Sequence, residues 1–427
     1  MEIFVALTLC TAFNLWLTKD YKWYEPTKLF QLMWIIQMWI VLVFCQNILI
    51  FQSMDGLYYI MGAISCYSIG VALVPNVEYE PQEHVDVNEK SINVLVLILS
   101  ALAFVSPLMS LIQNGFGLDM LLSMNDMIEM NNEMSVKRYD ETLSTSMVMQ
   151  LLLVFTYLAP LVGGFFYKYI KHWLSWSTIL PGLLVALTQA MKMSLITGVM
   201  LWFAGYLTYV LFERVEIRIN LKKILLIVVG VFVFLYVMFF SMFLRIGDND
   251  RSAYEIAEER MTIYTFGHMP AFCAWYDNYM DAYNEPTYGA RTVMGISNQI
   301  GLLKREMGIY QDMIRVTKAD GYSNVFTVFR VLIEDFGIMG SCFWMALMGA
   351  CIKLFQNGLK RYRSPYFAMT MLTVAYFFIM WSFVTSMLAY TSYILMYFLF
   401  YFIIRHYVNI GDEESVENFE ITRNDSN

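Results

Sequence analysis

The residues of this sequence that are suited to chemistry are concentrated in one polar segment, residues 245–322. This segment carries one histidine, His268, and several arginines, among them Arg245, Arg251, Arg260 and Arg291. Arginine forms bidentate, charge-assisted hydrogen bonds to phosphate. Histidine has an unperturbed pKa of about 6.5, which suits it to accept a proton near neutral pH. The segment therefore predicts anion binding combined with proton transfer.

A second polar group follows at once, within residues 321–340. On a helix with 100° between residues, its polar side chains share an arc of about 140°. They are Asn324, Thr327, Arg330, Glu334 and Asp335. A charge near a bilayer costs about 2.5–3.5 kcal/mol on insertion scales, so such groups turn inward, pair or line a wet cavity. A purely structural Arg330–Glu334 pair, four residues apart, is the alternative explanation.

The elements that position these residues are predicted to be membrane helices. Hydrophobic residues make up 58% of the chain and charged residues 15%, whereas soluble domains carry about 25% charged residues. A helix needs about 20 apolar residues to cross a bilayer. We predict an all-α polytopic membrane protein with about 11 (10–12) transmembrane helices and one long extracytoplasmic loop. The apolar runs are 1–17, 29–50, 57–75, 92–112, 146–167, 174–190, 194–212, 222–244, 323–352, 366–384 and 388–404.

The positive-inside rule gives the predicted orientation. Lys and Arg crowd the odd-numbered connections, which we therefore expect in the cytoplasm: Lys19, Lys22, Lys28, Lys168, Lys171, Arg214, Arg218, Lys222, Lys223, Lys353, Lys360, Arg361 and Arg363. Residues 1–244 then hold helices one to eight, 245–322 form the extracytoplasmic loop, 323–405 hold helices nine to eleven, and 406–427 form a cytoplasmic tail. The first run is expected to be a retained span, because Glu2 stands where a signal peptide has a basic region.

Residues 114–145 are predicted to lie on the same outer side as the long loop. Methionine, leucine and isoleucine side chains alternate there with Asp126, Glu129 and Glu133. This pattern is typical of an amphipathic helix at the membrane interface. Such a helix either closes a cleft that faces the lipid or lies at the interface without a partner.

Three short motifs resemble one family when they are taken in order. They are Gly267-His268-Met269-Pro270-Ala271-Phe272, then Ala290-Arg291-Thr292-Val293-Met294-Gly295-Ile296, and then Asn324-Val325-Phe326-Thr327 followed by Arg330, Asp335-Phe336-Gly337 and Gly340. They resemble signature segments of the Wzy-type oligosaccharide repeat-unit polymerases, which build O-antigens and capsules. The resemblance covers about residues 265–340. Family members often carry an arginine before span seven, where this chain has Lys192.

The resemblance implies a membrane glycosyltransferase in the cytoplasmic (inner) membrane of a bacterium. Its substrates would be polyprenyl-diphosphate-linked oligosaccharides, and its partners the lipid bilayer, a chain-length regulator and a flippase. No cofactor and no metal is expected. The implied diphosphate ligands are Arg245, Arg251, Arg291, Arg330 and Lys192. His268 is the first candidate for the general base, with Glu334 and Asp335 in reserve. Tyr322, Asn324 and Thr327 are the candidates for glycan contacts.

Two other function classes stay open. An O-antigen-ligase-like transferase would share the many spans, the outer loop and the Arg/His chemistry. A polysaccharide or lipid transporter would be expected to show internal repeats and helices broken by Gly or Pro in matching halves, and the sequence shows neither. No basic stripe indicates nucleic acid, and the cysteine spacing indicates neither a disulfide framework nor a metal site.

Overall fold

A computed structural model of the protein describes residues 1–81, 84–140, 142, 146–189, 191–217, 225, 229–230, 236, 251–282, 285–304, 310–362 and 364–411. Most of these residues are helical, as the apolar composition predicts. The helices are α1 (Glu2–Leu17), α2 (Pro26–Phe44), α3 (Asp55–Leu73), α4 (Glu89–Gln113), α5 (Met124–Tyr139), α6 (Met147–Phe165), α7 (His172–Ser177), α8 (Leu180–Thr188), α9 (Lys192–Phe212), α10 (Arg251–Phe266), α11 (His268–Asp281), α12 (Met294–Gln299), α13 (Thr327–Lys360), α14 (Pro365–Trp381) and α15 (Thr391–Tyr407).

The described part of the chain also contains four short strands and two short 3₁₀ helices. Strand β1 (His84–Val87) pairs antiparallel with β4 (Val408–Gly411), and β2 (Ile314–Arg315) pairs antiparallel with β3 (Tyr322–Ser323). The 3₁₀ turns are Leu118–Leu122 and Met387–Ala389. The described residues of the predicted outer segment 114–145 include a 3₁₀ turn followed by α5, and Met130 and Met134 of α5 are buried against Leu111 and Phe116.

Five of the described helices, α2, α3, α4, α9 and α13, are long and apolar enough to cross a membrane. Shorter apolar helices are α1, residues Leu151–Phe165 of α6, and α14. The chain is therefore a multi-pass membrane protein built from helices, while the number of eleven crossings stays a prediction. The predicted span 222–244 lies outside the described residues, apart from a few isolated positions.

One predicted span is interrupted in the structure. Residues 174–190 were expected to form one helix, but they lie in the two short helices α7 and α8. Pro181 stands in the first turn of α8. Proline has no N–H to donate and its ring clashes with the carbonyl four residues earlier. Proline therefore disfavours a continuous helix from His172, and the helix is interrupted at Thr178 and Ile179, just before this position.

Helices α3 and α13 approach closely at two glycines. A Cβ on Gly70 would lie 1.9 Å from the carbonyl oxygen of Ala346, and a Cβ on Gly349 would lie 2.2 Å from that of Tyr67. Small residues at such positions allow membrane helices to pack backbone against backbone. This contact fixes α13, which carries Arg330 and Glu334, against the core of the bundle.

The connections between helices gather at two ends of the bundle. At one end, Tyr24 Oη donates to the carbonyl oxygen of Val215 at 3.3 Å. The N–H of Glu80 donates to the carbonyl oxygen of Lys360 at 3.1 Å, and β1 pairs with β4. Lys and Arg are concentrated in these connections, apart from residues 76–91, which are acidic and carry only Lys90. We keep the predicted orientation and refer to this end as the predicted cytoplasmic end.

The other end gathers the connections that the sequence predicts to be extracytoplasmic. Ser53 Oγ donates to Asp277 of α11 at 2.7 Å. The N–H of Ile50 donates to the carbonyl oxygen of Val316 at 2.9 Å. Ser386 Oγ donates to the carbonyl oxygen of Thr292 at 2.7 Å. The segment 245–322, expected to be a loop, contains α10, α11, α12 and β2 among its described residues, and it is folded onto this predicted outer end.

Helix α13 differs from the continuous helix that was expected over 321–340. It begins at Thr327, so Asn324 precedes it, and it is kinked at Gly337, where φ is 68° and ψ is 178°. The residues after the kink are enough for about 34 Å of helix, which spans a bilayer core. Residues 327–336, which carry Arg330, Glu334 and Asp335, therefore form a separate helical segment at the predicted outer end.

Candidate functional site

A cavity of ≈ 280 Å³ lies at the predicted outer end, between α11, α13 and the connection that follows α11. Helix α11 contributes Trp275, Asn278 and Tyr279 to its lining. The connection contributes Glu285, Thr287 and Arg291, and α13 contributes Arg330 and Glu334. The structure thus brings together Arg291, Arg330 and Glu334, three residues predicted from the sequence to act at one site.

Arg330 is the buried cation of this cavity. Its guanidinium carbon lies 3.7 Å from the ring centroid of Tyr310 and 4.2 Å from that of Phe326, distances at which cation–π attraction is substantial. Its Nη2 donates to Asp312 at 2.7 Å. Its Nη1 is buried and has no hydrogen-bond partner among the described residues. A buried donor without a partner is costly, so this atom is a candidate to bind an anionic ligand.

Glu334 joins the two arginines. Its Oε1 accepts from Arg330 Nε at 2.9 Å, and its Oε2 accepts from the hydroxyl of Tyr310 at 2.8 Å. Arg291 Nε lies 3.3 Å from Oε2, within ion-pair distance, but it is not aligned for a hydrogen bond. The ion pair between Arg330 and Glu334, which the sequence offered as a structural alternative, is therefore present, and both of its residues also line the cavity.

Tyr310 is held in its protonated form. Burial, followed by the negative charge of Glu334, raises its pKa well above the ordinary value of 10.0, against the opposing effect of Arg330. The phenol therefore remains an O–H donor to the carboxylate at neutral pH. Asn324 Nδ2 donates to the backbone carbonyl of Tyr310 at 3.4 Å. Asn324, expected to bind a glycan, thus supports the ring that covers Arg330.

Asp335 has a different role from its neighbour. Its side chain is fully buried at 0% exposure. It accepts hydrogen bonds from the hydroxyl of Thr287, from the N–H of Arg291 at 3.0 Å, and from Thr292, whose N–H lies at 2.6 Å and whose hydroxyl lies at 2.5 Å. Both oxygens are engaged, and the side chain is absent from the cavity lining. Asp335 therefore fixes the connection that presents Arg291, which leaves it poorly placed to act as a base.

Thr327 begins α13 in a strained conformation. Its φ is 74°, a value that β-branched residues rarely adopt. Its hydroxyl accepts from the N–H of Phe329 at 3.2 Å, and the next N–H, of Val328, donates to the carbonyl of Ser382 at 2.9 Å. Because Thr327 is fully buried, it shapes the turn that aims Arg330 and has no surface for a glycan.

Tyr322 and Lys192, which were also predicted for the site, do not line this cavity. Tyr322 lies in β3 opposite Arg315 and is half exposed. Lys192 is buried at the start of α9, with its Nζ 5.3 Å from the ring centroid of Tyr264. Arg245 lies outside the described residues, and Arg251 is described only as the first residue of α10.

His268 is also away from the cavity, although it was the first candidate for the base. Its ring is 3% exposed and lies 5.9 Å from the ring of Trp34 and 5.5 Å from that of Phe383, measured between centroids. Its Nε2 is buried and has no partner among the described residues. Burial lowers its pKa to about 3. The apolar contacts around His268 could not be predicted from the sequence, because Trp34 and Phe383 lie far from it in the chain.

Several residues that line the cavity or contact Arg330 were not predicted from the sequence. Trp275 and Tyr279 are four residues apart on α11, a spacing that places them on one helix face and would have signalled an aromatic surface. Tyr310, Thr287 and Glu285 carried no such signal, because they lie in connections without periodicity. Among the residues that the structure describes, no group of three or more His, Cys, Asp or Glu side chains is arranged to hold a metal ion.

The fold and the site define a helical multi-pass membrane protein with a charged, aromatic cavity at one end of its bundle. Comparison with protein-family models, with curated proteins and with solved structures gives no match.

Proposed function

We propose that the protein is a membrane glycosyltransferase that polymerises polyprenyl-diphosphate-linked oligosaccharide repeat units at the outer face of a bacterial cytoplasmic membrane. The observation that carries the proposal is the pair Arg291 and Arg330 around one carboxylate, Glu334, in a cavity lined with aromatic rings. The motif resemblance supplies the substrate class, and the cavity supplies groups suited to its chemistry.

The arginines are suited to the leaving group of such a reaction. A lipid diphosphate gains negative charge as its bond to the sugar breaks, and guanidinium groups stabilise that charge through bidentate hydrogen bonds. Arg330 Nη1 is a donor without a partner among the described residues, and Arg291 Nε is not aligned with its carboxylate. Both cations therefore keep donor capacity for a phosphate while Glu334 holds their positions.

The aromatic side chains are suited to the sugars. Trp275 and Tyr279 line the cavity beside the arginines, with ring centroids 5.1 Å apart. The volume of ≈ 280 Å³ is near the lower end of the range of about 300–1,000 Å³ for small-molecule sites. It suits the reacting sugar and phosphate, while the rest of a repeat unit would extend into solvent.

The reaction needs one proton acceptor. Two carboxylates line the cavity, Glu285 and Glu334, and Glu334 is the one that lies between the two arginines. In the proposed step, the acceptor hydroxyl oxygen forms a bond to the anomeric carbon of the donor. The bond between that carbon and the diphosphate oxygen breaks, and the lipid diphosphate leaves with its electron pair. The hydroxyl proton passes to Glu334. Glu334 replaces His268 and Asp335 in this role, because His268 is enclosed by aromatic rings and Asp335 is fully buried and absent from the cavity lining.

The test is complementation of a deletion strain, with the surface glycan separated by length on gels. Parent protein should restore long chains, whereas Arg330→Ala, Arg330→Lys and Arg291→Ala should leave single repeat units on the lipid. Arg330→Lys is informative because lysine keeps the charge but loses the planar fork. Arg315→Ala is the matched control, since Arg315 lies in the same segment and pairs with Asp320 at 2.9 Å away from the cavity.

The alternative functions give different gels. A ligase would leave long chains on the lipid carrier that are not transferred to their final acceptor. If the protein were a transporter, the deletion strain would lose all surface glycan. Normal long chains from well-expressed Arg330→Ala and Arg291→Ala proteins would show that this cavity does not serve polymerisation.

A further inference from the structure

A second charged cavity, of ≈ 290 Å³, lies at the predicted cytoplasmic end of the bundle. Lys22, Glu25, Tyr79 and Arg214 are among its lining residues. A smaller cavity adjoins it, shares Tyr79 and Arg214, and is lined further by Lys360. The function proposed above makes no use of this site, which lies at the opposite end from Arg291 and Arg330.

The cations of this site are organised around one ring. The guanidinium carbon of Arg214 lies 4.7 Å from the ring centroid of Tyr79, and Nζ of Lys360 lies 4.7 Å from the same centroid. Two positive groups are therefore held close together on one tyrosine, where cation–π attraction offsets part of their mutual repulsion. Lys22 adds a third positive charge to the lining of the larger cavity.

The single carboxylate of the lining does not neutralise these cations by direct pairing. Glu25 Oε1 accepts from the backbone N–H of Lys22 at 3.1 Å, and Oε2 accepts from the side-chain amide of Gln356. Within the described part of the chain, Lys22, Arg214 and Lys360 form no ion pair with any carboxylate. The site therefore holds three positive charges against one negative charge.

Arg214 has two further marks of a binding residue. Its Nη2 is buried and has no hydrogen-bond partner among the described residues, whereas most buried donors in proteins are satisfied. Its φ is 53°, so an arginine occupies the left-handed position after α9 that glycine usually takes. The unsatisfied donor in a cavity is the observation that points to an anionic ligand, while the left-handed backbone fixes where the arginine leaves the helix end.

We propose that this cavity is a binding site for a phosphate-bearing anion. A phosphate monoester carries a charge of about −1.5 to −2 at neutral pH and several acceptor oxygens, which matches the net charge of the lining better than a single carboxylate does. Arg214 supplies the unused donor, and Lys360 and Lys22 supply further positive charge. The phosphate belongs either to a free anion or to the headgroup of a lipid in the inner leaflet, a recognised use of basic pockets between membrane helices.

The purified protein in a neutral detergent provides the test. Its melting temperature is measured with inorganic phosphate against chloride at equal ionic strength, and with phosphatidic acid against phosphatidylcholine in mixed micelles. Stabilisation by phosphatidic acid alone identifies a lipid headgroup. Stabilisation by inorganic phosphate identifies the free anion. Failure of both ligands to raise the melting temperature would overturn the proposal.

Variants decide whether the effect arises in this cavity. Arg214→Gln should weaken the apparent affinity about tenfold or more, because a charge-assisted hydrogen bond is lost. Lys22 is exposed, so Lys22→Gln leaves folding intact and should weaken binding by about threefold, as expected for an exposed charge. Lys19→Gln is the control, since it removes an exposed charge from the same connection outside the lining. Equal affinities in parent, Arg214→Gln and Lys22→Gln would show that the anion binds elsewhere.

Discussion

Replacing Asp335 with asparagine tests how the predicted outer site is held together. The side chain is fully buried, and each of its oxygens accepts one backbone N–H and one threonine hydroxyl. Asparagine places an NH₂ group where one oxygen stood. The threonine hydroxyl on that side can turn to accept from it, but the backbone N–H loses its acceptor.

The magnitude follows from these bonds. A buried donor left unsatisfied costs about 1–3 kcal/mol, and the bonds that remain lose the strengthening from the carboxylate charge. We therefore expect Asp335→Asn to destabilise the connection 287–293 by about 2–4 kcal/mol. Since 1.4 kcal/mol corresponds to a factor of ten, amide hydrogen exchange in this connection should accelerate roughly 30- to 1,000-fold relative to the parent.

The assay is hydrogen exchange of the purified protein followed by mass spectrometry of peptides that cover 287–296. Asp312→Asn is the matched control: Asp312 pairs with Arg330 at 2.7 Å but is largely exposed, and its change should leave these peptides unaffected. Exchange in Asp335→Asn within threefold of the parent would refute the conclusion that this carboxylate holds the connection in place.

Three other predictions follow from the described contacts. Tyr310→Phe keeps the ring over Arg330 but removes the hydroxyl bonded to Glu334. We expect a loss of about 1 kcal/mol in the free energy of unfolding and slower polymerisation in vesicles, and unchanged rates would exclude that hydroxyl from the site. His268→Phe should keep polymerisation within about threefold, whereas loss of a general base costs about a hundredfold or more. Burial holds the pKa of His268 at about 3, so between about pH 3 and 6.5 the unfolded chain binds a proton that the folded protein does not. The free energy of unfolding of the parent therefore falls by up to about 1.4 kcal/mol per pH unit on acidification through this window. The free energy of unfolding, measured by denaturation at pH 4.5 and at pH 7, should differ less between the two pH values for His268→Phe than for the parent. Gly337→Ala should lower the free energy of unfolding by about 1–3 kcal/mol through backbone strain, since a Cβ there meets nothing within 4 Å. Gly62→Ala, equally open but without a positive φ, should be neutral, and equal melting temperatures for the two variants would contradict the strain at the kink.

The sequence by itself determined the class of the protein and where its polar chemistry lies. Apolar runs long enough to cross a bilayer require helices, because backbone groups in lipid must be satisfied within the chain. Arg330 and Glu334 could be paired from their spacing, since residues four apart on a helix face each other. Arg291 could be placed with them only through the motif resemblance.

Tertiary structure decided which of the predicted residues meet. From the sequence, His268 was the first candidate for the general base and Glu334 a reserve, but α11 places His268 beside Trp34 and Phe383, whereas α13 carries Glu334 to the cavity. Asp335, adjacent to Glu334, is about 100° further around the helix and is therefore bound to the connection 287–292. Contacts of this kind join residues far apart in the chain and depend on how the helices cross, which local periodicity does not encode.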